Sequence, residues 1–221
     1  MKYRTCVSIA EKSPQNLKKN LKLALKKSDY VEIRLDFLKA EQIPKALEMI
    51  KHDLRKTVCT LRPKTEGGQF NGTEKERVSI LKLMAEYNPF LLDIEFNTIT
   101  KNSDLRNYLK KSKTKVLVSW HDFKKTPSSR ILTDMLKKMT KISSTVKIVT
   151  TARSIDDSTR VLQLYRKKGK TNLIAFSMGE LGRMSRILCL YLGSPYTYVS
   201  LGKPIASGQF SIDEVNKIIS I

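Results

Sequence analysis

Eight short apolar runs alternate with helical stretches from one end of this chain to the other, and that alternation limits the fold more than any other feature. The runs are 3–9 "YRTCVSI", 30–36 "YVEIRLD", 56–62 "KTVCTLR", 90–96 "FLLDIEF", 115–121 "KVLVSWH", 145–151 "TVKIVTT", 172–178 "NLIAFSM" and 196–201 "YTYVSL". Each is strand-length and rich in β-branched and aromatic residues. Between them, Leu17, Leu21, Ala24 and Leu25 fall on one helical face, as do Ile131, Leu132, Met135 and Met139, and then Val215, Ile218 and Ile219. Ser13 before Pro14 is a helix start signal. Eight strand–helix units with no Pro/Gly/Ser-rich linker between them predict an α/β fold, a single (β/α)8 TIM barrel over 1–221. The chain's 221 residues lie within the usual range for that fold, about 200 to more than 400. An open doubly wound sheet normally shows a glycine-rich turn after the first strand. Here that turn is "SIAEKSPQN", without glycine.

In such a barrel, functional groups come from the C-terminal ends of the strands and the loops that follow them. Several strands place charge at alternate positions. In "VEIRLD", Glu32, Arg34 and Asp36 share one face, and Val31, Ile33 and Leu35 share the other. "LLDIEF" repeats the pattern with Asp93 and Glu95, "TLRP" adds Arg62, and "SWHDF" adds Ser119 and His121. Buried charges of both signs must neutralise one another. A structural ion cluster explains one such strand. Inward charge on successive strands predicts a polar site for a small, highly oxygenated substrate.

Lys147 stands between Val146 and Ile148 in "TVKIVTT". A lysine held neutral by burial can attack a ketone and form an imine. The bland alternative is a lysine that snorkels from an edge strand or pairs with Glu95. The chain has two histidines. His52, in "IKHDLRK", reads as a surface residue at a helix end, and His121, ending the strand before Lys147, is placed to move protons. Asp93, Glu95 and His121 are possible metal ligands by type, but their spacing matches no metal motif and a nearby Lys147 would repel a cation. The loops 62–74 "RPKTEGGQFNGTE" and 202–210 "GKPIASGQF" leave the same end of the proposed barrel and could close over substrate.

The net charge is +21, from 42 Lys and Arg against 21 Asp and Glu. The lysines are spread over nearly every predicted helix, with no basic tail and no nucleic-acid-binding signature, so they read as a solvated surface that draws in small anions. No run approaches the ~18–20 apolar residues of a membrane span. The N-terminal segment turns polar too soon to be a signal peptide. Three cysteines in apolar runs (Cys6, Cys59 and Cys189) read as buried reduced thiols, which points to the cytoplasm.

Taken in order, "VEIRLD", "TLRPKTEGG", "LLDIE", "SWHDF", "VKIV", "FSMGELGRMSR" and "ASGQ" resemble type I 3-dehydroquinate dehydratase, the Schiff-base enzyme of the shikimate pathway. The resemblance runs from end to end. It implies a (β/α)8 barrel, a homodimer, no metal and no cofactor, and 3-dehydroquinate as a small-molecule substrate, with no nucleic acid and no membrane involved. By the same resemblance Lys147 is the Schiff-base lysine, His121 the general acid/base, and Glu66 the acid that orients and tunes the histidine. Glu32, Arg34 and Arg62 match residues that hold substrate hydroxyls, Arg186 in "MSR" the grip on the carboxylate, and Ser8 a further polar contact. Asp93 and Glu95 match supporting acids near the lysine, and Asp36 belongs with them. The family's last lid motif usually reads S-A-P-G-Q. Here it is Ile205-Ala206-Ser207-Gly208-Gln209, so Gln209 is kept, the lid serine falls on Ile205, and Ser207 could supply the missing hydroxyl. Two rival readings share parts of this pattern: a class I aldolase or transaldolase barrel, which also uses an imine, and an inactive barrel that binds nucleic acid through its basic surface.

Overall fold

The computed structural model describes residues 3–219. Its strands are β1 (Thr5–Ile9), β2 (Tyr30–Arg34), β3 (Thr57–Thr60), β4 (Leu91–Glu95), β5 (Val116–Asp122), β6 (Thr145–Thr151), β7 (Asn172–Met178) and β8 (Thr197–Ser200). They form one sheet in the order β7-β6-β5-β4-β3-β2-β1-β8. Chain order is therefore spatial order, with β1 also bonded to β8, as a (β/α)8 barrel requires. The pairs β2–β3, β3–β4, β5–β6 and β6–β7 are parallel. By density of contacts the chain forms two compact units. One is Ser8–Val116; the other joins Met1–Val7 to Leu117–Ile221.

In the unit Ser8–Val116, the main helices are α1 (Pro14–Lys27), α2 (Ile43–Ile50), α3 (Glu74–Glu86), α4 (Phe96–Lys101) and α5 (Ser103–Lys111). The Ser13 hydroxyl accepts from the Asn16 amide at 3.3 Å, and Pro14 follows in the first turn, so α1 begins where the sequence signals it. Leu17, Leu21 and Ala24 are buried and Leu25 is half-buried. Val31, Ile33 and Leu35 are fully buried. Strand β2, however, stops at Arg34. Leu35–Phe37 is a 3-10 turn, and Asp36 belongs to it rather than to an extended strand. Three bonds hold it there: Arg34 donates to its carboxylate through Nε and Nη2, and the Gln69 amide donates to it at 3.0 Å. His52 is exposed in the turn that follows α2.

The second unit carries α6 (Ser129–Thr140), α7 (Ile155–Leu162), α8 (Ser185–Tyr191) and α9 (Ile212–Ile219). On α6 the buried face is Leu132, Leu136 and Met139. Ile131 is exposed and Met135 only half-buried, so the predicted grouping of these two with Leu132 is displaced by one position. At about 100° per residue, Leu132, Leu136 and Met139 form the tighter stripe, and Leu136 displaces its neighbours. On α9, Val215 is buried, whereas Ile218 and Ile219 are half-buried. Cys6, Cys59 and Cys189 are buried free thiols. Burial pushes the Cys59 thiol up to about 12 and the Cys189 thiol up to about 11. No helix among the described residues is long and apolar enough to cross a membrane.

Candidate active site

In the unit Ser8–Val116 the charged face of the strands is a closed network. Parallel register sets Arg34 beside Thr60 and Thr60 beside Asp93, so the alternate residues Glu32, Arg34, Thr60, Asp93 and Glu95 all project to one side. Glu32 accepts from the Ser8 hydroxyl at 2.8 Å and from the Thr60 hydroxyl at 3.0 Å. Arg62 forks across two carboxylates. Its Nη2 donates to Asp93 at 2.7 Å and its Nη1 to Glu95 at 2.8 Å. Burial alone would weaken the Arg62 guanidinium as an ion. Asp93, Glu95 and Glu32 outweigh that and hold it firmly protonated. Arg34 lies against the Phe37 ring and donates through Nε and Nη2 to the Asp36 carboxylate at 2.9 and 2.7 Å. The pair has the forked geometry typical of Arg and carboxylate.

The loop after β3 folds back on Arg62. The Phe70 amide donates to the Arg62 carbonyl, and a Cβ added at Gly68 would stand 2.0 Å from that same oxygen. Only glycine allows this approach, and it fixes the neighbouring Glu66. Loss of water around the Glu66 carboxyl, with repulsion from Glu95 and Asp93, raises its pKa to about 7 against the pull of Arg62. The Asn97 amide lies 3.4 Å from Glu66 Oε1. Glu66 thus changes charge near neutral pH, whereas an ordinary glutamate is fully ionised there. A groove of about 640 Å³ opens beside Asp36, between the loops that follow β1, β2 and β3, with Lys12, Phe37, Phe70 and Asn71 on its walls.

In the second unit, Lys147 sits in the middle of β6 with 5% exposure. Its register partner on β5 is Ser119. His121 lies two residues further along the same strand, so Ser119, His121 and Lys147 share a face, with His121 nearer the strand's C-terminal end. The Lys147 Nζ lies 4.5 Å from the centre of the Tyr198 ring on β8. The His121 ring stacks on Phe123 at 5.7 Å. Arg186, on α8, is 2% exposed, and its guanidinium lies over the Phe176 ring, 4.3 Å from its centre. Its Nη2 donates to the Ser207 carbonyl at 3.1 Å. No carboxylate among the described residues pairs with it, and desolvation lowers its pKa to about 10. A buried guanidinium without a carboxylate is costly, and an incoming carboxylate would relieve that cost. Beyond β8, Gln209 is buried and its side-chain carbonyl accepts from the Ile205 amide at 2.9 Å. Gly208, at φ +70°, approaches Gly179 so closely that an added Cβ would stand 2.6 Å from the Gly179 carbonyl oxygen.

Residues 5–221 match the family model for type I 3-dehydroquinase. The chain belongs to the type I 3-dehydroquinase family. Among curated relatives, 3-dehydroquinate dehydratase from Dehalococcoides mccartyi is 38% identical, covering 88% of each chain. The one from Methanocaldococcus jannaschii is 35% identical, covering 96% of each. The crystal structure of 3-dehydroquinate dehydratase from Aquifex aeolicus is 30% identical, with a TM-score of 0.80 over 97% of this chain and 96% of that one. The Geobacillus kaustophilus structure, at 22% identity and a TM-score of 0.90, covers all of this chain and 91% of its own, and supports the fold.

Several residues of these two clusters are not visible in the strand pattern. Arg77, on α3, is 1% exposed and reaches Glu95 Oε2 at 2.7 Å, the Leu61 carbonyl at 3.1 Å, the Thr98 hydroxyl and both Glu74 oxygens. Its one sequence signal is a cation on the helical stripe of Val78, Leu81, Met84 and Ala85. Thr60 reads as an ordinary strand residue, and Tyr198 as core. Ser207 is exposed, and what it offers Arg186 is its backbone carbonyl.

Proposed function

We propose that this chain removes water from 3-dehydroquinate through an imine on Lys147, giving 3-dehydroshikimate. Dehydration of 3-dehydroquinate is the activity of its family and makes the chain a hydro-lyase; the residue roles are the proposal. The observation that carries it is Lys147 itself: a lysine in the middle of a buried strand, in register with Ser119 and on the same face as His121.

The Lys147 Nζ attacks the C3 ketone, and His121 shuttles protons as the carbinolamine loses the ketone oxygen as water. The protonated imine draws electrons from the adjoining C2–H bond, His121 takes that proton, and an enamine forms. The enamine expels the C1 hydroxyl, which leaves as water with a proton returned by His121. One water then hydrolyses the imine, restoring the ketone and the free lysine, so the net change is loss of the C1 hydroxyl and one C2 hydrogen. Arg186 receives the substrate carboxylate, with two donors available to its two oxygens. Ser8, Glu32, Arg34 and Arg62 meet the hydroxyls, Gln209 shapes the last loop, and Asp36, Asp93 and Glu95 hold the arginines in place. Glu66, titrating near neutrality, suits a partner for histidine-based proton transfer. The working protein acts as one catalytic domain, a cytoplasmic homodimer without metal, cofactor or nucleic acid.

Borohydride reduction in the presence of 3-dehydroquinate, followed by peptide mass spectrometry, tests the reading. A reduced ligand adduct on the peptide containing Lys147 is expected. Folded protein and intact substrate with no adduct would remove the imine mechanism.

A further inference from the structure

Arg77 lies near the start of α3, on the face that also carries the buried Val78, Leu81, Met84 and Ala85. Arginine on such a stripe ordinarily lays its stem along the apolar surface and keeps its charge in water. This one turns inward and is buried. Replacing a whole buried ion pair by apolar side chains is often neutral or stabilising, so core packing by itself gives no reason for a cation here. What the cation touches does.

Its contacts converge on Arg62. Strand β3 ends at Thr60, and its register with β4 ends at the pair Thr60–Asp93. Leu61 and Arg62 lie past those paired residues. Arg77 Nη1 donates to the Leu61 carbonyl, in the peptide unit that leads into Arg62, at 3.1 Å. On the other side of that residue, the Phe70 amide donates to the Arg62 carbonyl at 3.3 Å. The Arg62 backbone is thus pinned before and after its Cα.

The Arg62 guanidinium is pinned through Glu95. Arg77 Nη1 donates to Glu95 Oε2 at 2.7 Å, and Arg62 Nη1 donates to Glu95 Oε1 at 2.8 Å. The Thr98 hydroxyl accepts from Arg77 Nη2 and donates to the same Glu95 Oε2 at 3.4 Å. Arg77, Thr98 and Glu95 close a ring, so the carboxylate cannot turn under Arg62 without breaking bonds at its other oxygen. One guanidinium on α3 therefore fixes both the backbone and the head group of a second one just past β3.

We propose that Arg77 is a positioning residue for substrate binding, which sets the place and angle of the Arg62 guanidinium and, through it, the grip on the hydroxyls of 3-dehydroquinate. This rests on the role given to Arg62 above. Hydrogen bonds weaken steeply when misaligned, and a misplacement of ~1 Å can cost about 100-fold in activity.

Steady-state kinetics on Arg77→Met and Arg77→Lys test this, with 3-dehydroquinate as substrate and 3-oxocyclohexane-1-carboxylate as competitive inhibitor. The inhibitor keeps the ketone and the carboxylate but has no ring hydroxyl for Arg62 to hold. Arg77→Met is expected to raise the KM for 3-dehydroquinate roughly tenfold, with kcat within about threefold of wild type and the inhibition constant within about twofold. Arg77→Lys keeps the charge without the fork and should fall between. Arg62→Lys should show the same selectivity. Glu74→Gln, which removes only the surface partner of Arg77, should change neither constant. Circular dichroism at the assay temperature identifies a variant that fails to fold, and Arg77→Lys decides if Arg77→Met does. Equal weakening of substrate and inhibitor would overturn the proposal and leave Arg77 a purely structural ion; no weakening of either would also overturn it. An unchanged KM in Arg62→Lys would overturn the role of Arg62 and this proposal with it, leaving the imine test on Lys147 untouched.

Discussion

Arg77→Met is the perturbation that probes the charged network most directly, because Arg77 touches no proposed substrate group yet sits under Glu95. Wild-type Glu95 accepts from Arg77 Nη1 at 2.7 Å through one oxygen and from Arg62 Nη1 at 2.8 Å through the other. Methionine fills most of the volume and removes the charge. Removing one partner of a buried ion pair costs about 3–5 kcal/mol, since the remaining charge stays buried. Here Arg62 still compensates Glu95, which lowers the cost, while the Leu61 carbonyl and the Thr98 hydroxyl lose their donor, which raises it by about 1 kcal/mol each. These terms place the loss at about 3–4 kcal/mol. For a chain of this size that corresponds to a melting temperature lowered by roughly 8–12 °C. Urea unfolding followed by circular dichroism gives the free energy directly. Glu74→Gln is the control, because Glu74 bonds the same arginine with its side chain 58% exposed, and it should cost less than about 1 kcal/mol. If Arg77→Met cost no more than Glu74→Gln, the network would not be the structural support described here.

Two further outcomes follow from the site. The Glu66 carboxyl should titrate near pH 7 when followed by carbon NMR, and a midpoint between 4 and 5 would refute its desolvation. Because the unfolded chain gives up this proton near 4.5 and the folded one near 7, the contribution of Glu66 to stability is greatest below 4.5 and is lost as pH rises to 7; Glu66→Gln should flatten that part of the profile. Gly208→Ala adds a Cβ at φ +70° against the Gly179 carbonyl, a strain of about 1–2 kcal/mol, and the loop that offers the Ser207 carbonyl to Arg186 should shift. The expected result is a KM for 3-dehydroquinate raised roughly tenfold with the fold intact, and an unchanged KM would separate this loop from substrate binding.

What could be read from the sequence followed from what backbone geometry enforces. Alternation along a strand put Glu32 with Arg34, and Asp93 with Glu95, before any contact was known, because adjacent side chains must point to opposite faces. The strand ends were less legible. Asp36 continues the alternation in the sequence, yet a bond to Arg34 and another from the Gln69 amide turn the backbone at Leu35. The second of these comes from 33 residues away, and no local pattern encodes it. Ile131 lies off the buried face because five apolar residues within one stretch of α6 allow two stripes, and only packing against the sheet chooses between them. Arg77 shows the same limit in reverse. A cation on an apolar helical stripe ordinarily snorkels to water. Here a carboxylate from a distant strand, Glu95, meets it inside, while Glu74, one turn back on the same helix, meets it from the surface. Local periodicity thus fixes which way a side chain points, whereas the partners that permit a buried charge are a property of the folded sheet. That is why Lys147 stood out at once in its strand, while Tyr198, whose ring faces the lysine, looked like any other core aromatic.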